Sequence, residues 1–290
     1  MNNFWRKQES NTPLFPDMLW NKPENRELAG KLTIVGGNEH GFAATAAAYK
    51  MALMLGVGKV RVVLPDILKK VINDQIANSA SNSSSPTTAS IQSIRQRGSF
   101  VTLTDIVFTP SNISGGFSRD AFSDLNTMAD WADLMLFIGD SGQNSETAAL
   151  IENFLSHNKK TPIVITRDAI ELVKNIGESL LNREKTHLVV SLSQLQKIFQ
   201  SVYYPRMVLF SQGVKQIAET LRKFTITYPV TITLFHGENL FVAQDGQVIS
   251  QNFSQALRVW SGEIATRAAV WQTWNPTKNF EAVATSWAGL

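Results

Sequence analysis

The chain has 290 residues, of which 43% are hydrophobic and 18% are charged, and this ordinary globular balance argues against a disordered or membrane-spanning protein. Its 27 basic and 24 acidic residues leave a formal net charge of +3, which is too small to predict a nucleic-acid or anionic membrane partner. Because the sequence contains no cysteine, disulfides, thiolate metal sites and cysteine nucleophiles are excluded.

The histidine spacing argues against a zinc site, and the N-terminal composition argues against a secretion signal. None of the four histidines is separated from another by the short spacing of a zinc site, so we expect no metal site built on them. No continuous apolar stretch resembles a secretion signal, which favours a cytoplasmic protein.

Residues 1–30 are predicted to form an arm that precedes the main domain at 31–290. Trp5, Phe15 and Trp20 are mixed with prolines and follow neither a helical nor a strand period. We therefore expect aromatic side chains to hold this arm on the surface.

Residues 31–65 predict a strand, a glycine turn, a helix and a second strand. The first apolar run ends at Gly36 and Gly37, an alanine-rich segment continues to Gly56, and the apolar run at 59–65 follows. A strand–helix–strand unit of this kind pairs its strands in parallel.

Strands and helices continue to alternate along the rest of the chain. The small polar residues at 78–90 predict a surface loop. Apolar runs predict buried strands at 132–139, 161–166 and 186–190.

The alternation of strands and helices stops near the C-terminus. Three consecutive strands are predicted there, with Asp245 and Gly246 as a hairpin turn, and helices follow at about 262–274 and 279–289. The whole pattern predicts a three-layer α/β/α fold with a mainly parallel central sheet and an antiparallel edge near the C-terminus. Ligands of such folds bind at the carboxyl ends of the strands.

Two glycine turns are candidates for that site. Gly36, Gly37 and Gly41 surround Asn38 before the first helix, where their backbone could approach a phosphate. A tight turn that needs glycine only for positive φ is the alternative, and spacing alone favours it. The second turn begins at Gly139.

The residues after Gly139 have plausible capping roles. Ser145 is predicted to cap the helix that follows, with Glu146 in its first turn. Asp168 follows the next strand and could ligate a metal, orient polar groups or cap a helix, of which capping is the commonest role.

The C-terminal half adds a carboxylate. His236 and Gly237 end a predicted strand, although a lone histidine is usually structural. Ser261 and Gly262 precede Glu263 at a predicted helix start, where the acid could serve as a general base while neighbouring amides hold phosphate. A glutamate favoured by the helix dipole is the alternative.

In this order the segments resemble the NAD(P)H-hydrate dehydratase family of the ribokinase-like carbohydrate kinase superfamily. These enzymes use ADP or ATP to repair hydrated nicotinamide cofactors. The similar segments are the GG turn and helix at 29–65, the G-P-G-L-G region at 135–155, the D-A-D-A-L region at 162–172, the K-G strand and hairpin at 233–249, and the G-[ST]-G-D helix at 260–271.

The departures from the family pattern concern the chemistry. Thr166 replaces the first aspartate of D-A-D whereas Asp168 keeps the second, and His236 stands at the lysine. Trp260 takes the first glycine position of G-[ST]-G-D, where its indole could fill the pocket, and Glu263 takes the aspartate position. An added methylene displaces the carboxylate, and a displacement of about 1 Å can reduce a rate on the order of a hundredfold.

The resemblance implies a ribokinase-like fold and ADP- or ATP-dependent dehydration of hydrated NAD(P)H, with Mg²⁺. It implies Glu263 as the base, a nucleotide phosphate site at Ser261, Gly262, His236 and Gly237, and a substrate-side turn at Gly36, Gly37, Asn38, Gly41, Gly139 and Asp168. Family members commonly form homo-oligomers. The alternatives are a non-catalytic relative that binds a nucleotide or a protein, and a kinase for another small hydroxylated substrate.

Overall fold

The structure is a computed structural model that describes residues 4–74 and 103–290. The loop predicted at residues 78–90 lies outside the described residues. Among the helices in those two ranges, none combines the length and apolarity needed to cross a membrane.

Ten strands form a single sheet. They are β1 (Trp5–Gln8), β2 (Lys31–Gly36), β3 (Lys59–Pro65), β4 (Ile106–Thr109), β5 (Leu134–Gly139), β6 (Ile163–Thr166), β7 (Thr186–Ser191), β8 (Val230–His236), β9 (Asn239–Gln244) and β10 (Gln247–Asn252).

Helices connect and cover these strands. They are α1 (Asp17–Trp20), α2 (Ala43–Leu55), α3 (Phe122–Trp131), α4 (Ser145–His157), α5 (Ala169–Val173), α6 (Glu178–Leu181), α7 (Leu192–Ser201), α8 (Val214–Thr227), α9 (Ala256–Trp260), α10 (Glu263–Trp274) and α11 (Asn279–Thr285). A further helical stretch at 69–74 reaches the limit of the first described range.

The strand order is β1-β10-β9-β8-β7-β6-β5-β2-β3-β4. All neighbours pair in parallel except β9, which is antiparallel to both β8 and β10. The predicted mainly parallel sheet with an antiparallel C-terminal edge is confirmed. Strands β2 to β8 therefore all end at the same edge of the sheet, which we call the carboxyl edge.

Alternate residues of each central strand pack on opposite faces, as the two-residue period of a strand requires. In β5, Met135 and Phe137 join the core formed with α4 and α7, whereas Leu134, Leu136 and Ile138 join the core formed with α2 and α10. These two cores make the three layers predicted from the sequence.

The arm at residues 1–30 differs from the expectation of an arm without regular structure. Strand β1 extends the sheet through its parallel pairing with β10, and the indole nitrogen of Trp5 donates to Ser250 Oγ at 2.9 Å. Phe15 packs edge-on against Phe280 of α11. Trp20 is 87% exposed and is no anchor. The four residues of β1 are too few for a period to be recognised, and β4 was not predicted either.

Candidate functional site

The carboxyl ends of β2, β5 and β6 are joined by short hydrogen bonds. Gly37 donates its N–H to the carbonyl oxygen of Gly139 at 3.0 Å, and Asp140 donates its N–H to Asp168 Oδ1 at 2.9 Å. A Cβ added at Gly139 would lie 2.1 Å from that Asp168 oxygen, and the residue has φ of +96°. The structure therefore brings the predicted residues Gly37, Gly139 and Asp168 together.

Asp168 occupies the N-cap position of α5 without capping it. Its side chain accepts no hydrogen bond from the α5 amides and instead fixes the turn after β5. The capping role favoured by the sequence is wrong, because the Asp168 carboxylate accepts the N–H of Asp140 and none from α5. Asp168 does not belong to a set of metal ligands supplied by the protein alone, since no group of three His, Asp or Glu side chains in the described ranges could hold a metal ion.

Asp140 is a central residue of the carboxyl edge that the sequence analysis missed. Its Oδ2 accepts the N–H of Ala44 in the first turn of α2 at 2.8 Å, and its Oδ1 accepts Nη2 of Arg167 at 2.9 Å. Asp140 and Arg167 both have φ of +56°. A usable signal was the acidic residue directly after a strand-ending glycine, but the pairing with Arg167 depends on two unusual backbone conformations.

Arg167 links the end of β6 to the start of α10. Its carbonyl oxygen accepts Nε2 of Gln194 at 2.7 Å, which holds its backbone. Its Cδ lies 3.4 Å from the position a Cβ would take at Gly262, and the same Cβ would approach Ile138 to 2.5 Å. Gly262 has φ of +85°, so glycine is required there by both conformation and space. The side-chain stem of Arg167 thus lies on the Gly262 side, and its guanidinium reaches Asp140.

The turn at residues 36–41 is stabilised by its own asparagine. Asn38 Oδ1 accepts the N–H groups of His40 and Gly41 at 2.7 and 3.1 Å. Glu39 donates its N–H to the carbonyl oxygen of Gly115, in the loop after β4, at 2.9 Å. These contacts account for the turn, and a ligand-binding role for its residues stays a prediction.

The helix cap predicted at Ser145 is wrong by one residue. Asn144 caps α4, because its side chain accepts the N–H groups of Glu146 and Thr147. The carboxylate of Glu146 accepts the hydroxyl of Ser118 and the N–H of Arg119, both at 3.1 Å. The loop before α3 is thereby tied to α4.

Glu263 begins α10 and is engaged by an arginine. Its Oε1 accepts Nε of Arg258 at 2.9 Å and also accepts Nη2 of the same guanidinium. Ser261, between them, donates its hydroxyl to the carbonyl oxygen of Arg258. The carboxylate that was expected to act as a base therefore forms an ion pair with Arg258 of α9.

Arg267, one turn into α10, also faces this carboxylate. Burial lowers the pKa of Arg267, and the charge of Glu263 opposes that shift. Nε of Arg267 donates to the carbonyl oxygen of Ser286 at 3.0 Å. Arg258 is therefore the arginine bonded to the acid at the head of α10, and Arg267 acts on it only through its charge.

Trp260 does not fill a pocket. Its side chain is the last of α9 and is 58% exposed, so the expected filling of the pocket by its indole is wrong. The short helix α9 carries Trp260 outward while it directs Arg258 at Glu263. The side-chain contact at the start of α10 is therefore the ion pair between Arg258 and Glu263.

His236 and Gly237 have different surroundings at the end of β8. The His236 ring is buried, with Nε2 3.2 Å from the carbonyl oxygen of Gln212 and Phe210 packed edge-on against it. Gly237 lines a surface cavity of about 380 Å³ together with residues from both ends of the chain and from either side of the β9–β10 hairpin. These include Ser10, Asn239, Asn252, Phe253, Gln255 and Leu290. Of the two residues, only Gly237 faces open space.

No protein-family model and no curated protein matches the sequence. Several solved structures match the fold. A ribokinase-like superfamily protein from Enterococcus faecalis V583 has a TM-score of 0.66 at 14% identity, with 99% of this chain and 86% of that chain covered. A hypothetical protein from Streptococcus mutans has a TM-score of 0.60 at 13% identity, covering 93% of this chain and 84% of that chain.

A third similar structure has a stated activity. It is an ADP/ATP-dependent NAD(P)H-hydrate dehydratase from Bacillus subtilis, co-crystallised with ATP and Mg²⁺ and soaked with CoA. Its TM-score is 0.54 at 12% identity, with 94% of this chain and 85% of that chain covered. With the strand order and the three layers described above, these matches show that the chain has the ribokinase-like fold.

Proposed function

We propose that this chain binds ADP or ATP at the carboxyl edge, beside Gly262, and is a non-catalytic relative of the NAD(P)H-hydrate dehydratases. The observation that carries the proposal is the ion pair between Glu263 and Arg258. That ion pair occupies the carboxylate on which the family reaction would depend.

Two features favour a nucleotide phosphate at this place. Gly262 turns the chain from α9 into α10, and no side chain caps that helix, whose N-terminus carries partial positive charge. The Bacillus subtilis dehydratase with the same fold was co-crystallised with ATP and Mg²⁺. An anionic nucleotide is thus the ligand class that best fits the fold and the head of α10.

Mg²⁺ accompanying the nucleotide fits Asp168. Protein sites for Mg²⁺ commonly supply one or two carboxylates, and the phosphates and water complete the coordination. The carboxylate of Asp168 lies beside Gly139 and is held in place through Oδ1. Bound there, the ion would neutralise phosphate charge, and Asp168 would hold it.

Glu263 is poorly placed to act as a general base. A base must come within hydrogen-bond reach of the substrate hydroxyl with a lone pair directed at its proton. Here the carboxylate accepts two N–H groups from Arg258, and both side chains are largely shielded, at 26% and 18% exposure. Both of these N–H groups bind the same oxygen, Oε1, so Arg258 restricts where the carboxylate can turn and opposes its reach toward a substrate hydroxyl.

Calorimetry with ATP and ADP, each with and without Mg²⁺, tests the binding. We expect a saturable heat and a rise in the free energy of unfolding, which reaches about 2.7 kcal/mol when the ligand is at 100 times its Kd. Glu263→Gln should bind as the wild type does. Absence of binding by every nucleotide would contradict the proposal.

Turnover is tested with hydrated NADH and NADPH in the presence of ADP or ATP. Recovery of the dihydronicotinamide absorbance and release of orthophosphate are measured together. We expect neither product from the wild type. The same two products are measured for Arg258→Met, in which Glu263 has lost its arginine partner, and a rate in that variant alone would show that the ion pair blocks turnover.

The active dehydratase is the second candidate function. It is favoured by the position of Glu263, whose carboxylate begins α10 as the family aspartate does in the resemblance described above. Turnover by the wild type, abolished in Glu263→Ala, would establish this function in place of the non-catalytic one.

A further inference from the structure

A surface cavity lies at the opposite end of α9 from Gly262. This cavity beside Gly237, called the Gly237 cavity below, measures about 380 Å³ and lies within the range of about 300–1,000 Å³ typical of small-molecule sites. Its walls come from four parts of the chain: the N-terminal arm, the turn between β8 and β9, the residues between β10 and α9, and Leu290. A second cavity, at residues 66–74, is bordered by one segment alone.

Hydrogen bonds between these parts hold the walls of the Gly237 cavity in place. Phe253 donates its N–H to the carbonyl oxygen of Glu238 at 2.8 Å, which ties the segment before α9 to the turn between β8 and β9. Gly289 donates its N–H to the carbonyl oxygen of Ser10 at 2.8 Å, which ties the C-terminal residues to the arm. A ligand would therefore meet walls that are already ordered, and its binding would not have to order them.

Several polar side chains of the Gly237 cavity are available to a ligand. Four of them make no hydrogen bond or ion pair with any residue in the ranges 4–74 and 103–290, namely Ser10, Glu238, Asn252 and Ser254. Gln255 accepts Nη1 of Arg258 with its Oε1 at 3.2 Å, and this bond leaves its NH₂ group for a ligand. The walls therefore offer hydroxyl, amide and carboxylate groups together.

This lining selects against charged ligands. Glu238 is the only charged side chain among the described residues that line the cavity, so no cation there could bind an anion such as phosphate. An ammonium group could pair with Glu238, but it has donors only and would leave the NH₂ groups of Asn252 and Gln255 without an acceptor. A hydroxyl group both donates and accepts, and so it can satisfy amides and a carboxylate at once.

We propose that the Gly237 cavity binds an uncharged polyhydroxylated molecule, a sugar or a polyol. In this site the amides of Asn252 and Gln255 donate to ligand oxygens, Glu238 accepts from ligand hydroxyls, and the Phe253 side chain provides apolar surface for the carbon skeleton. The site lies apart from the head of α10, and so the inference does not depend on nucleotide binding.

An NMR titration of the ¹⁵N-labelled full chain tests the proposal. The neutral probes are D-ribose, D-glucose, sorbitol and myo-inositol, the charged probes are inorganic tripolyphosphate and spermidine, and the side-chain amide signals of Asn252 and Gln255 are followed. We expect at least one neutral probe to shift both signals saturably. The proposal is overturned if no neutral probe does so, or if a charged probe binds more tightly than every neutral one.

Two variants locate the bound probe through the Gln255 signal. Asn252→Ala should raise its Kd about fivefold, the loss expected for one uncharged hydrogen bond. Ser254→Trp should abolish saturation because the indole would fill the cavity. Both positions are exposed, so we expect the fold to be kept, and the backbone amide spectrum checks this.

Asn153→Ala is the matched control, because Asn153 is an exposed asparagine on α4, which packs in the other core. Its Kd should stay within twofold of the wild-type value. If Asn252→Ala and Ser254→Trp also bind as the wild type does, the probe lies outside the Gly237 cavity and the proposal fails.

Discussion

Asp140 and Arg167 adopt a backbone conformation that L-residues with side chains rarely adopt. Each has φ of +56°, and each lies just beyond the end of a parallel strand, β5 or β6. Such conformations cost of order 1–3 kcal/mol and persist where surrounding contacts enforce them, often at ligand sites. Here those contacts are the Asp168 and Ala44 bonds to Asp140 and the Gln194 bond to Arg167.

Replacing Gly139 tests whether this edge depends on close backbone approach. In Gly139→Ala the new methyl group would overlap Asp168 Oδ1 and the residue would keep a positive φ. We expect a loss of about 1–3 kcal/mol in the free energy of unfolding, measured by urea denaturation. Gly41→Ala is the control, because a Cβ there meets no atom within 4 Å. Equal midpoints for the two variants would contradict the explanation.

His187 gives the protein a defined response to acid. Burial lowers the pKa of His187 from 6.5 to about 4, and Gln272 partly opposes the shift. Between these values the unfolded chain binds a proton that the native protein does not, so stability falls as pH drops from 6.5 to 4, by up to about 3 kcal/mol. Below pH 4 this contribution stops changing.

Urea denaturation at several pH values measures that response. His187→Gln should lose stability less steeply than the wild type between pH 6.5 and 4. His157→Gln, at an exposed position, should keep the wild-type slope. Parallel curves for wild type and His187→Gln would show that His187 is not the origin.

At the level of single residues, the sequence predicted which residues lie at the carboxyl edge better than it predicted which side chains bond to each other. Gly139 and Asp168 were found because they lie at, or two residues beyond, the ends of apolar strands, and the topology brought them together. The pairs Asp140–Arg167 and Arg258–Glu263 were not found. The first joins two separate strand ends, and the second depends on how α9 turns into α10. Neither leaves a periodic trace in the sequence.

At the level of elements, the long periodic segments were predicted, whereas the short strands β1 and β4 were missed. The strand–helix–strand unit at 31–65 and the three consecutive C-terminal strands are present as predicted. The strands β1 and β4 have four residues each, as does β6, which was predicted from its apolar run. Strand β1 contains Arg6 and Lys7 and is identified only by its pairing with the distant β10, whereas β4 has an apolar run like that of β6 and was overlooked.

Gln8 is expected to hold β1 in the sheet. Its Nε2 donates to Gln251 Oε1 at 2.7 Å and to the carbonyl oxygen of Ala284 at 2.8 Å, and its Oε1 accepts the N–H of Leu14. In Gln8→Leu these buried groups lose their partner, at about 1–3 kcal/mol for each group left unsatisfied.

Urea denaturation measures this loss. Lys7→Ala, at the exposed neighbouring position, should change the free energy of unfolding by no more than about 0.5 kcal/mol. An unchanged midpoint for Gln8→Leu would mean that β1 contributes little to the stability of the sheet.

At the level of the whole molecule, residues 4–30 are packed against the C-terminal helices. Met18 shares a small core with Trp271 and Ala282, and the side chain of Asn21 donates to that of Asn275 at 2.7 Å. The sequence placed these residues in an arm because composition shows where periodicity stops, and it cannot show which distant helices will cover an aromatic segment.

Removing residues 1–30 tests the predicted boundary of the domain. We expect the 31–290 fragment to unfold at a lower urea concentration than the full chain, because β10 loses a neighbour and apolar groups of α10 and α11 become exposed. Trp20→Ala changes the arm at an exposed position and should behave as the full chain does. An unchanged midpoint and slope for the fragment would support an independent domain at 31–290.

The two edge strands of the sheet limit the ways in which copies of the chain could associate. Within the described ranges the sheet finishes with β1 on one side and β4 on the other, and both are brief. Short flanking strands offer few open backbone groups, which discourages continuation of one sheet into another. If the homo-oligomer implied by the family resemblance exists, we expect its subunits to meet through helical surfaces and to leave the outermost strands uncovered.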